Sequence, residues 1–251
     1  ASSVKACGTL FHTVIGMDPQ IAMYLAAVVI VGYTFLGGFS AVCWTDFFQG
    51  MLVLGSMFIA PIFAAFMLDT SSMSALPGGS LNPFSSWQDI VSGLAWGLGY
   101  FGMPHIIIRF MSIKSQKDLK KSAKIGITWT LLIVFFATLI GVIGRLFLGF
   151  DESINENSLV FIQIVRKIFP GVISGILLSA VLAASMSTAD SQLLVASSSF
   201  TSDIYKPVFR KNASDNEILW VGRLVVLIVS VIAYMIASSK GEGAQAIMNM
   251  V

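Results

Sequence analysis

The sequence predicts an all-α integral membrane protein: a bundle of about six full transmembrane helices with partial helices at each end. Three observations predict it. Hydrophobic residues make up 56% of the 251 and charged ones 11%, against about 25% charged in ordinary soluble domains. Six runs carry no charge, at 19–45, 47–68, 90–108, 125–144, 168–189 and 224–239, and a span needs ~20 apolar residues. The basic residues crowd alternate connections, as membrane topology demands.

Taken in order, residues 1–17 read as the tail of an earlier helix. Runs 19–45 and 47–68 meet at Asp46, just after the Gly37–Gly38 pair. Asp46 is expected to open the second run, as a carboxylate near the positive end of a helix dipole. A place beside an ion path is the other reading. Residues 70–88 hold Pro77, Gly78, Gly79, Pro83 and four serines from Ser71 to Ser80, which predicts a loop. Leu159, Val160, Ile162, Ile164, Val165 and Ile168 predict a short helix with a structural role, lying on the protein or the interface. The last run is short, but Leu219, Trp220, Val221 and Gly222 extend it past Arg223. Residues 243–251 read as the start of a later helix. The chain opens on Ala1 and ends on Val251 inside an apolar run, so it is expected to be an interior piece of a longer protein.

Charge sets the topology. Arg109, Lys114, Lys117, Lys120, Lys121 and Lys124 crowd one connection; Lys206, Arg210, Lys211 and Arg223 crowd another. They lie an even number of spans apart, which makes that side cytoplasmic. A multi-pass protein of the cell membrane follows. The net charge of +2 is small, and no basic patch with interleaved aromatics points to nucleic acid. Cys7 and Cys43 lack metal or disulfide spacing. Two histidines, with no HExxH, GxSxG or phosphate-binding loop, leave little for catalysis.

Two stretches carry candidate chemistry. Ala180, Ala184, Ser187, Thr188 and Ser191 fall on one face of a helix. Hydroxyls in an apolar span fit an ion path, since lipid offers such groups no partner and a hard cation prefers oxygen ligands. Close helix packing is the alternative reading. Asp190 points about 100° away from that face and suggests a supporting role. In the run at 90–108, Gly93, Gly97, Gly99, Gly102 and Pro104 predict a broken helix, of the kind that forms substrate sites in transporters; close packing through glycine is again the alternative. Trp96, Tyr100 and Pro104, spaced four and four, would share one stripe, either a packing surface or the wall of a solute pocket. His105 reads as structural, and Arg109 as the cytoplasmic exit.

Three segments carry a family resemblance: GGFSAVCWTDFFQG (37–50), WGLGYFGMPHIIIRFM (96–111) and GILLSAVLAASMSTADSQLLVASSSFTSDIYK (175–206). They resemble the sodium:solute symporter family, nearest its sodium/proline branch, and the likeness runs over essentially the whole chain. The resemblance implies a LeuT-type core of inverted repeats. Residues 1–251 would be a single transmembrane domain running from late in the third core helix to the start of the tenth, without the first two core helices. It implies a sodium site at Ala184 (carbonyl), Ser187 and Thr188, and a proline site at Trp96, Tyr100 and Pro104. Asp46 and Arg109 match positions tied less specifically to function.

The implied activity is sodium-coupled symport of a small solute, L-proline, by alternating access. Sodium would be the co-transported ion, with no organic cofactor. The expected partners are the solute, membrane lipid and the missing helices of the parent chain. The alternatives are a symporter of another small solute or a non-transporting membrane sensor on the same fold.

Overall fold

The computed structural model describes residues 1–68, 86–100, 102–148 and 159–239. Their regular elements are α1 (Ser2–Ile15), α2 (Pro19–Phe66), α3 (Trp87–Tyr100), α4 (Pro104–Met111), α5 (Gln116–Leu148), α6 (Val160–Ile168), α7 (Gly171–Ser199) and α8 (Asp215–Ser238). A π-helical stretch, Phe200–Phe209, continues α7. All six uncharged runs are helical over most of their length. Most of the expected loop at 70–88 and the expected helix at 243–251 lie outside the described residues.

Helix starts follow local chemistry. Asp18 precedes Pro19, and its Oδ1 accepts from the Gln20 and Ile21 N–H groups at 2.8 and 3.2 Å. Proline lacks the N–H that a first turn leaves unpaired anyway. Ser214 caps α8 by accepting from the Glu217 N–H at 3.3 Å, and Ser115 does the same for Asp118 ahead of α5 at 3.2 Å. Each satisfies a donor that the helix itself cannot.

With 48 residues, α2 would be about 72 Å long, more than twice the ~30 Å hydrocarbon core. It is interrupted at Gly38, with φ 60° and ψ −161°, a conformation essentially reserved for glycine. The segments 19–37 and 39–66 are therefore the first two runs. This corrects the expectation for Asp46: the carboxylate lies inside the second segment and does not open it. Glycine's backbone freedom, rather than charge, sets the division.

The chain forms two compact units, Ala1–Val53 with Ser179–Val251, and Leu54–Leu178. In the first, Ile30, Leu193 and Val226 form one buried cluster, and Val4, Met23 and Ala237 another. In the second, Ala64, Ile140, Val160 and Ile164 form the core. The predicted short helix is α6, and its apolar face is buried there. Gly144 of α5 lets α6 approach: a Cβ at that position would come within 2.6 Å of the Val160 Cγ1.

Among the described residues four helices are long and apolar enough to cross a membrane, and α3 with α4 forms a further, bent pair. Large apolar side chains such as Phe66 and Val172 stay exposed along them, as facing lipid allows.

Candidate functional site

The oxygens predicted to meet a cation lie on one turn of α7. The Ser187 Oγ donates to the Ala184 carbonyl at 3.1 Å, and the Thr188 Oγ1 donates to the same carbonyl at 3.0 Å. A hydroxyl has one proton and two lone pairs. With the proton directed to the backbone, both lone pairs of each oxygen stay available to a cation. The helix repeat alone produces this, since i+3 and i+4 lie one turn above i. Ala184 and Thr188 are exposed and Ser187 half-buried, whereas Ala180 and Ser191, on the same predicted face, are buried. The stripe therefore divides: its ends pack, and its middle turn is open.

Asp190 is fully buried. Its Oδ2 accepts from the Tyr33 hydroxyl at 2.7 Å. The Ser191 Oγ lies 3.4 Å from the Asp190 Oδ1 and 3.4 Å from the Asp46 Oδ2. One hydroxyl thus stands between two carboxylates that the sequence treated separately. Tyr33 was missed. It sits 157 positions from Asp190, and nothing in its local sequence marks it as a partner.

The aromatic pair belongs to the other unit. The Trp96 and Tyr100 rings lie 6.0 Å apart on α3, tilted by 37°, and both are exposed. The predicted break is present: α4 is bent by 43° from α3. Met103 is extended and Pro104 opens α4. This alters the expected stripe. Trp96 and Tyr100 share a helical face, but Pro104 starts the next helix, because a spacing of four holds only along an unbroken helix. Arg109 is exposed in the last turn of α4. Among the described residues no cluster of three or more His, Cys, Asp or Glu could hold a metal ion.

A sequence profile of the sodium:solute symporter family matches residues 1–251. The chain belongs to the sodium:solute symporter family. It is 40% identical over 250 residues to the high-affinity proline transporter PutP of Bacillus subtilis strain 168, covering 96% of this chain and 53% of the relative. It is 39% identical over 245 residues to the osmoregulated proline transporter OpuE of the same strain, covering 94% and 50%. A sodium/proline symporter of Staphylococcus aureus is 39% identical over 245 residues, covering 94% and 48%. The chain thus spans about half the length of the curated relatives it matches. Among solved structures, a Na+-coupled sialic acid symporter in a substrate-bound outward-open state matches with a TM-score of 0.77 at 21% identity, over 93% of this chain and 54% of the other. That likeness gives this chain the LeuT-type helical fold. As part of a symporter family it is a multi-pass integral membrane protein and not an enzyme.

Proposed function

We propose that the protein carrying this chain is a sodium-coupled symporter of L-proline in the cell membrane, working by alternating access. The observation that carries this reading is the turn of α7 at Ala184, Ser187 and Thr188. Three oxygens there share one carbonyl-centred arrangement inside a span that otherwise has little use for them. The names of the matched relatives support proline as the solute. Three oxygens are too few for an alkali ion, and by the family resemblance the first core helix, outside these 251 residues, is expected to add ligands. The chain is read as one transmembrane domain of that longer protein, from the late third core helix to the start of the tenth. Alone it is expected to carry no proline.

Trp96 and Tyr100 serve as the wall for the apolar body of the solute, with the tyrosine hydroxyl as a polar contact and Pro104 fixing the break beside them. Asp46, Asp190 and Arg109 act in support. No organic cofactor is needed. Coupling is a free energy shared by the ion and solute sites, and the membrane potential adds about 2.3 kcal/mol per charge per 100 mV.

Proline uptake by the full-length protein in proteoliposomes, at varied sodium, tests the reading. A net hydrogen bond to a charged group is worth about 1.5–3 kcal/mol. Ser187→Ala and Thr188→Ala should therefore each raise the half-saturating sodium about ten-fold or more, at equal amounts of inserted protein. Unchanged sodium dependence in both variants removes the cation site. Uptake indifferent to proline but competed by another small carboxylate or sugar keeps the fold and changes the solute.

A further inference from the structure

Arg223 has no role in the proposed transport cycle, and its position is unusual. It stands about 12 Å along α8 from Asp215, in an otherwise uncharged stretch from Ile218 to Ser238. Its guanidinium lies 4.9 Å from the Trp220 ring centroid and 5.3 Å from that of Phe35. Among the described residues no carboxylate is in ion-pair range of it. Ring faces attract a cation but use none of the five N–H donors that a guanidinium carries. A charged side chain at this depth is costly unless it finds an anion or the interface.

Two neighbouring hollows lie at this end, and Arg223 lines one of them. A trough of about 530 Å³ runs between the first segment of α2 and α8, walled by Tyr24, Val28, Val31, Leu227, Val231 and Tyr234. A second hollow of about 310 Å³ includes Arg223 itself. Phe35 and Leu36 line both, so the apolar trough borders the cationic end. Lys206, Arg210 and Lys211 precede α8 at that same end, which the positive-inside rule assigns to the cytoplasmic leaflet.

We propose that this trough binds one anionic phospholipid of the cytoplasmic leaflet, with an acyl chain along α2 and α8 and the headgroup phosphate at Arg223. The shape selects an amphiphile. A free phosphate would leave the trough unfilled, and a zwitterionic lipid would bring its own cation to Arg223. Guanidinium–phosphate pairing is charge-assisted and directional, and a basic residue near an anionic leaflet favours anionic lipid by about five-fold.

The test is native mass spectrometry of the full-length protein, purified in detergent with an equal mixture of phosphatidylglycerol and phosphatidylcholine of matched chains. The wild type should retain phosphatidylglycerol about five-fold over phosphatidylcholine. Arg223→Gln should bring that ratio close to one, with Arg223→Lys between the two. Leu227→Trp, which narrows the trough and leaves Arg223 in place, should lower retention of both lipids. The last two variants carry the test if Arg223→Gln does not fold. The proposal fails if the wild type holds both lipids equally, if neither is retained because protein fills the trough, if inorganic phosphate alone occupies the site, or if the Arg223 variants keep the full preference.

Discussion

On α7, the Ser187 and Thr188 hydroxyls are each held at about 3 Å from a single carbonyl of their own helix. On α3, Trp96 and Tyr100 are 59% and 49% exposed, with each other's ring as the neighbour. The difference shows what one helix can prepare by itself. Backbone repeat suffices to orient oxygens toward a small ion. A pocket for a solute body needs walls on several sides, and α3, which buries none of its residues, supplies one. The proposed ion set is therefore formed locally, whereas the proposed solute wall depends on assembly with the rest of the protein.

That contrast can be broken experimentally. In the full-length protein, Trp96→Ala should raise the half-saturating proline about ten-fold, since a large aromatic contact is worth roughly 1.5–3 kcal/mol. Sodium binding to the proline-free protein, followed by calorimetry, should stay unchanged. A shift in both would mean that the two sets are not separately formed.

Stability measurements sharpen the comparison further. Gly38→Ala forces a side chain into a backbone conformation that only glycine tolerates and should cost about 1–3 kcal/mol, read as a lower Tm in detergent. Asp190→Ala removes the acceptor of the Tyr33 O–H and should cost about 1–2 kcal/mol, whereas Asp190→Asn keeps an acceptor and should cost less. Equal losses for Ala and Asn would indicate that charge, not the hydrogen bond, holds this interior. At the small end, the Glu217 carboxylate accepts from Tyr205 at 2.7 Å and pairs with Arg210 at 3.2 Å on the surface. Exposed pairs of this kind contribute little, so Glu217→Gln should leave the Tm unchanged. A clear drop would give that end of α7 and α8 an unexpected structural weight.

Much of this was legible in the residues. The uncharged runs marked the helices, and the glycines from Gly93 to Gly102 with Pro104 marked the break between α3 and α4. The spacing of Ala184, Ser187 and Thr188 placed three oxygens on one turn. Asp46 misled, because a charge inside a span is expected to sit at its edge. It lies within a helix, with the Ser191 hydroxyl 3.4 Å away.

Periodicity along a chain determined which side chains share a helical face, because a 3.6-residue repeat is a local property. It also set where helices can begin, because caps act within a few residues. Contacts between distant segments were decided only by the tertiary structure: Tyr33 with Asp190, Ser191 with Asp46, Phe35 with Arg223. Their energies depend on which helices meet, and no local spacing encodes that.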